Sequence, residues 1–569
     1  MRINLVRRIL FSMTLLVSIS GYSQAVFEHV DNSIYEYLNR QALRGNIIVD
    51  DIIRPLTRNH IAAYLNQLDT LYNTKKISLN AVERSELLFH IKEYGLGIEE
   101  GTVNNLKERW FKKDPRGRLR FLSKIDSLGG HEKSTQNIVQ PFQFNLEPVI
   151  QGAVFASGDK KSTIIKATGL QLWASLGKRL GLQMYYRDIN EEGTGIDFDK
   201  KFTPQQGYIP ATQPGVKILN YADVRATMTY QWKNGLFAVG KEQYVTGYGL
   251  NGNLIYSTKA PSYPYIRLTQ QILPWLKFEY MHAVLASRLV DTPNSYIVSN
   301  GGVFGGQRFK MIPKYMVSHA FSLRLKKGLT LMLGESVVYN DRVQLGYVLP
   351  LMFYKAWDQY VSGTNINAGS NTQFFVQLSS RNQLKNTHLY TSILIDEFSP
   401  SGLFSAKRSR TQIGFNVGGS ITNLPFLPNL TCSVDYTRIN PFVYKNLLPA
   451  QEYSNNGYLI GDWMGNNADR LIVEAKYIPI PRMRVVLRLE QIRKGSAGTT
   501  DQQYFQQPQP DFLFGLQQKL WATSGRVSYE WIHNLYFFGQ LARQEIKVYS
   551  PNFNSNMYFQ FSAGCSFGL

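Results

Sequence analysis

A chain of 569 residues with 44% hydrophobic and 13% aromatic residues can bury enough surface to offset its conformational entropy, which excludes a disordered protein. Beyond the first two dozen positions no run of about 20 apolar residues exists, so a bundle of transmembrane helices is excluded, and two cysteines are too few for a disulfide scaffold or a multi-cysteine metal site. What remains is a β-rich soluble protein or a β-barrel with its apolar surface spread over alternate residues, and a net charge of +21 favours anionic partners.

Arg2, Arg7 and Arg8 precede the apolar stretch Ile9 to Ile19, and the small residues Gly21 and Ser23 follow. This pattern predicts a signal peptide over residues 1–23, cleaved after Ser23, with no cysteine behind it to carry a lipid. Cleavage would remove three arginines and no acid, so most of the basic surplus stays. Export argues against nucleic acid as a partner, and no basic run with interleaved aromatics contradicts that. Acidic polysaccharide and lipopolysaccharide phosphate fit the charge better.

Residues 24–100 read as helices. Ile34, Tyr35, Leu38 and Leu43 approximate one face before Gly45. Thr57 is placed to cap a second helix with Ile61, Leu65 and Leu68 on its apolar side. Asn80 and Glu83 form a capping-box pattern for a third, which carries Val82, Leu87, Leu88 and Ile91 and stops at Gly95. Such a small bundle needs something to lean on. Residues 101–137 are polar and basic without a clear period and read as a connector.

From residue 138 to 569 the period is two. Ala222, Val224, Ala226, Met228, Tyr230 and Trp232 alternate with Asp223, Arg225, Thr227, Thr229 and Gln231 before a Lys233-Asn234-Gly235 turn. Leu471, Val473, Ala475 and Tyr477 alternate with Glu474 and Lys476, and Val485, Leu487 and Leu489 follow across Ile478-Pro479-Ile480-Pro481. In the last strand Met557, Phe559, Phe561, Ala563, Cys565, Phe567 and Leu569 share one side, opposite Gln560, Ser562, Gly564 and Ser566. Apolar outward and small or polar inward is the pattern of a transmembrane barrel, and residues 138–569 suffice for about 16–18 strands. A closing aromatic amphipathic strand resembles the assembly signal of bacterial outer-membrane proteins, which makes outer-membrane lipid and the barrel-assembly machinery expected partners. No linker divides the segment and no fixed repeat marks a propeller.

Several local patterns imitate catalytic motifs. Gly247-Tyr248-Gly249-Leu250-Asn251-Gly252 has dinucleotide spacing, but Asn253 to Ser257 reads as extended where a helix is needed. Gly564-Cys565-Ser566-Phe567-Gly568 has nucleophile-elbow spacing at the end of the chain. The eight histidines never fall at metal-ligand spacing, so no cofactor or metal is expected, and Cys432 and Cys565 read as small hydrophobes facing lipid. Asp396-Glu397, Glu242 and Glu335 could supply paired carboxylates for glycoside cleavage, but a barrel lumen holds such charges for structural reasons too, and no catalysis is expected.

The order of several segments resembles the Wzi-like capsule-assembly family: Tyr35-Glu36-Tyr37-Leu38 to Gly45-Asn46-Ile47-Ile48, Arg54-Pro55-Leu56-Thr57-Arg58, and Gly247-Tyr248-Gly249 to Leu254-Ile255-Tyr256-Ser257. Ser318-His319-Ala320-Phe321-Ser322, Gly334-Glu335-Ser336 and Ile395-Asp396-Glu397-Phe398 continue the series. The resemblance implies an outer-membrane barrel of about eighteen strands with a periplasmic helical bundle. It also implies lectin-like attachment or assembly of capsular or other exopolysaccharide, without catalysis. A glycan binder needs flat aromatics beside a few charges. Tyr186, Arg187, Asp188, Glu242, Arg267, Glu335, Trp357 and Asp396 are the candidate contacts. Strict alternation would put Glu335 with Leu331 and Leu333 on the lipid face, which predicts a bulge or strand end there. A porin for sugars or small polar solutes is the alternative, separated by whether the lumen is open.

Overall fold

The structure, a computed structural model, describes residues 25–94, 109–113, 119–128, 140–177, 179–211, 213–298, 306–364, 369–397, 412–425 and 427–568. The predicted signal peptide and its cleavage site, and the Gly95 helix stop, lie outside them.

Local chemistry sets the three N-terminal helices. The Asn32 side chain accepts the Ile34 N–H and caps α1 (Ser33–Leu43), which gives way to Gly45 at a φ of +73°. Thr57 accepts from the His60 N–H at the start of α2 (Arg58–Asn73). At α3 (Ala81–Tyr94) the capping box is reciprocal: the Glu83 N–H donates to Asn80 Oδ1 at 2.9 Å and the Asn80 N–H to the Glu83 carboxylate at 3.0 Å. Ile34, Leu38, Ile61, Leu65, Leu68 and Leu87 form the bundle core. Leu88, expected in that core, is half-exposed, whereas Glu83, Glu86 and Glu93 are buried. The reason is charge: Arg44, Arg40 and Arg58 meet those three carboxylates, so the packed face of α3 is ionic.

The barrel begins with β1 (Gln140–Ser157), β2 (Ser162–Leu176), β3 (Leu180–Gly193), β4 (Ile218–Trp232), β5 (Gly235–Glu242) and β6 (Tyr263–Leu273). It continues through β7 (Leu276–Val290), β8 (Met311–Lys326), β9 (Leu329–Asn340), β10 (Asn371–Arg381), β11 (Thr387–Glu397) and β12 (Gln412–Leu424). β13 (Leu427–Ile439), β14 (Ala468–Tyr477), β15 (Met483–Lys494), β16 (Gln518–Ile532), β17 (Leu535–Val548) and β18 (Asn554–Phe567) complete it. Each strand pairs antiparallel with the next, and β18 closes on β1 from Phe567↔Ile150 to Gln560↔Ser157, so these eighteen strands leave no open edge in the ring. Within 101–137, where the sequence has no period, a hairpin of Arg109–Lys113 and Leu119–Leu128 pairs with the first half of β1.

Tight turns such as 233–234, 327–328 and 533–534 gather at one end of the barrel and long connections at the other. The helical bundle sits against the tight-turn end. Ser33 Oγ donates to Glu530 at 2.7 Å, Asn59 Nδ2 to Gln231 at 2.9 Å, and Lys277 meets Asp50 at 2.9 Å. Glu36 accepts from Arg484 at 3.1 Å with Lys476 at 3.6 Å. Burial alone would raise the Glu36 carboxyl, but Lys476, Arg484 and Arg40 outweigh it and pull it down to about 2. A carboxyl held below its unfolded value stabilises fully above that value of 4.5, and the gain is lost as pH falls toward 2. Glu36→Gln is therefore expected to destabilise bundle docking by about 2 kcal/mol at pH 7 and by little near pH 2, read from denaturant melts across that range.

Alternation divides the wall cleanly. In β18 Met557, Phe559, Phe561 and Cys565 are exposed on the outside while Ser562 and Ser566 are buried inside. Leu471 and Val473, and Leu487 and Leu489, are likewise outward. The lumen is occupied by the N-terminal segment and two long connections, residues 243–262 and 440–467. Leu254, Ile255, Tyr256, Tyr444, Tyr453 and Trp463 from these connections pack with Met281, Met316 and Phe375 of the wall. Asp462 and Arg470, both fully buried, join the second connection to β14 through contacts of 3.0 and 3.4 Å. The segment with dinucleotide spacing runs through this interior with no helix after it. A Cβ on Gly252 would stand 2.5 Å from Asp462 Oδ2, so the glycine is there to let the ion pair approach.

The expected bulge at Glu335 is absent. β9 keeps continuous register, with Glu335 opposite His319 and Phe374, and the carboxylate lies on the outer face as strict alternation requires. It is nevertheless only 2% exposed, because the connection between β9 and β10 folds over it.

Candidate functional site

Seven inward or rim positions converge in the upper half of the lumen, toward the long connections. A cleft of about 260 Å3 is lined there by Arg187, Glu191, Lys200, Tyr208, Tyr221, Asp223 and Lys241 among others. β3 supplies Arg187 and Glu191, β4 supplies Tyr221 and Asp223, and the connection 194–217 folds in with Lys200 and Tyr208. The Tyr208 and Tyr221 rings are 4.9 Å apart at 40°. Tyr221 donates to Glu191 at 2.6 Å, and Lys200 Nζ meets the same carboxylate at 2.7 Å and Gln205 at 3.0 Å. Arg187 lies 3.8 Å from Asp223 and donates to Gln151 at 3.3 Å. β5 is short, and where it stops Lys241 reaches over the rim to donate to Val224 O at 2.6 Å and Ser262 Oγ at 2.8 Å. Among the described residues no carboxylate pairs with Lys241.

Behind the cleft, Lys259 is buried with its ammonium on the carbonyls of Thr203 and Gln205 at 2.8 and 2.9 Å, and also on that of Lys200. Burial lowers this ammonium to about 7; Asp197 works the other way, and Lys200 and Lys201 add to the lowering. Lys201 in turn stands over the Tyr458 ring at 4.6 Å. Cations and aromatic faces therefore alternate around this mouth, an arrangement suited to stacking a sugar ring while a guanidinium or ammonium holds a carboxylate.

Of the eight residues selected from the sequence, four point inward. Arg187 lines the cleft. Glu242 lies below it, accepting from Arg225 at 3.5 Å, Gln183 at 3.3 Å and the Gln243 N–H at 2.8 Å. Arg267 is deeper, on Glu279 at 3.3 Å and over the Tyr244 ring at 4.8 Å. Asp396 accepts from Gln373 at 2.9 Å and from the Tyr444 N–H, which fastens the 440–467 connection. Tyr186 and Asp188 are instead exposed on the outer face with Leu182 and Met184, because alternation within Tyr185-Tyr186-Arg187-Asp188 sends only Tyr185 and Arg187 inward. Glu335 and Trp357 belong to the covered patch outside the wall, so the barrel wall separates Glu335 from Asp396. Lys200, Tyr208, Tyr221 and Lys241 were not selected from the sequence. Inward parity marks Tyr221, but the aperiodic stretch 194–217 carries no signal for Lys200 or Tyr208.

The architecture is that of a large closed antiparallel β-barrel with a filled lumen and a helical bundle at one end. No protein-family model matches the chain, and no curated protein matches its sequence. Among solved structures, Wzi, an outer membrane protein involved in group 1 capsule assembly in Escherichia coli and a carbohydrate-binding β-barrel, is similar over 96% of this chain and 100% of its own, with 11% identity and a TM-score of 0.56. OpdK of Pseudomonas aeruginosa, solved with vanillate, covers 74% of this chain and 98% of its own at 10% identity and a TM-score of 0.41. OccK8 (OprE) of the same organism covers 74% and 97% at 12% identity and a TM-score of 0.40. The first likeness covers nearly the whole of both chains, and the chain has that barrel fold.

Proposed function

We propose that this chain is an outer-membrane barrel that holds an acidic polysaccharide at the cell surface, gripping it in the cleft of Arg187, Lys200, Lys241, Tyr208 and Tyr221. The observation that carries the reading is the pairing of two adjacent tyrosine rings with these cations at the long-connection end of a filled lumen. The apolar outer face supports the membrane placement, with the tight-turn end and its bundle in the periplasm. The likeness to a carbohydrate-binding barrel supports the ligand class. Filling of the lumen by three chain segments supports attachment over diffusion, for which planar bilayers would give steady conductance.

Binding of polygalacturonate and of neutral dextran to the purified protein tests the site. The polyanion is expected to bind more tightly, with a salt dependence that dextran lacks. Lys241→Gln and Arg187→Gln are each expected to weaken polygalacturonate binding about tenfold, the worth of one charge-assisted hydrogen bond, and to leave dextran unchanged. In cells, deleting the gene should move surface polysaccharide from the cell-bound to the shed fraction. Unchanged retention would sink the attachment reading.

A further inference from the structure

The connection between β9 and β10 runs outside the barrel. It carries α4 (Leu345–Val348) and α5 (Tyr354–Thr364) and packs on the outer faces of β7, β8 and β9. The patch it covers is polar for an outer wall. The Tyr354 N–H donates to Glu335 at 2.5 Å, and His319 bridges, with Nε2 3.2 Å from Glu335 and Nδ1 2.9 Å from Pro350 O. Tyr280 Oη donates to Tyr347 O at 3.3 Å, and His282 Nε2 lies 2.7 Å from Tyr339 Oη.

The opposite side of this connection is greasy. Leu345 is 82% exposed, Leu351 72%, Phe353 56% and Leu349 54%. These residues continue the barrel's exposed apolar surface: the Phe353 ring lies 6.3 Å from that of Phe374 of the wall, tilted at 38°, beside Leu333 of β9, and Val284 and Ile266 lie exposed on the far border of the patch. Four large apolar side chains within nine positions form a patch seldom left facing water. A bare carboxylate at Glu335 would be costly against acyl chains, whereas the covering segment gives it the Tyr354 N–H and holds the neighbouring His319 of β8 through Pro350 O.

The geometry points to residues 343–353 as a lipid-inserting strap that hides the Glu335 patch and seats Leu345, Leu349, Leu351 and Phe353 among the acyl chains of the leaflet on the long-connection side. The inference rests on the membrane-barrel reading but not on the polysaccharide. Its test uses the full chain with Cys432→Ser and Cys565→Ser, reconstituted in vesicles of phosphatidylcholine and phosphatidylglycerol. Nitroxides are placed at Leu345→Cys and Leu351→Cys, with Leu541→Cys on the outer wall and Val216→Cys in the 194–217 connection as references.

Collisions with oxygen, which concentrates in lipid, and with a water-soluble nickel chelate are then compared. Labels at 345 and 351 are expected to show the high oxygen and low nickel accessibility of the label at 541. Accessibility like that at 216, while 541 remains lipid-like, would overturn the strap and leave the barrel reading intact. An aqueous signature at 541 would overturn both. Spin–spin broadening at 345 that disappears on dilution with unlabelled protein would identify a second copy as the occupant and also overturn the proposal.

Discussion

Asp462→Ala is expected to free the 440–467 connection from the barrel wall at a cost of about 3–5 kcal/mol, because it strands the Arg470 guanidinium in a site where both partners are wholly buried. Asp462 does more than neutralise a charge. Its Oδ1 accepts the Met464 N–H at 3.0 Å, and its own N–H donates to Tyr444 Oη at 3.2 Å. The measurement is hydrogen exchange in detergent, where amides of 440–467 should lose protection while those of β14 and β15 keep theirs. Asp462→Leu combined with Arg470→Met should recover most of the loss, since an apolar pair of similar volume removes both desolvation penalties. Equal protection in Asp462→Ala and the parent would mean that the aromatic packing of Tyr444, Tyr453 and Trp463 alone holds the connection.

The second large effect is expected where the segment between α1 and α2 meets the barrel. Asp51 takes two contacts from Arg381, at 2.7 and 3.1 Å, and a third from Tyr248 Oη at 2.9 Å, while the guanidinium lies over the Tyr248 ring at 4.7 Å. Burial alone would raise the Asp51 carboxyl, yet the Arg381 guanidinium holds it below the ordinary carboxylate range. Asp51→Ala should therefore cost about 3–5 kcal/mol and expose residues 44–57 to protease. Asp51→Asn, which keeps the shape and loses the charge, should cost less. Because Asp51 ties the N-terminal region to both β10 and the 243–262 connection, cleavage after Asp51→Ala should come in 44–57 before any barrel strand is cut.

The wall was legible because every strand separates two environments. A period of two in β4, the β14–β15 hairpin and β18 follows directly from an apolar outside and a polar inside. The helix starts at Thr57 and Asn80 were legible because a cap is a bond between neighbours in sequence. Inward parity is readable in the same way for Arg187, Glu242, Arg267 and Asp396, of which only Arg187 lines the cleft. Tyr186 and Asp188 face outward while Arg187 faces the lumen, because neighbours on a strand point opposite ways and three consecutive residues cannot line one site.

Glu335 shows where parity stops. Alternation placed its side chain outside correctly, yet the bulge inferred to rescue it does not exist, because the rescue comes from Pro350 and Tyr354, fifteen and nineteen residues further on and folded back over the wall. Lys200 and Tyr208 reach the cleft only because 194–217 folds in beside β3 and β4.

Local sequence encodes the dyad strands, the capped helices, the strand count within about two and the alternation of sides along a strand, since these depend on bonds and environments within a few positions. The tertiary structure alone decided which connections fill the lumen, which one lies outside it, and which cations and rings share a cleft. Those outcomes turn on barrel closure and on contacts between residues far apart in the chain, which no local period encodes.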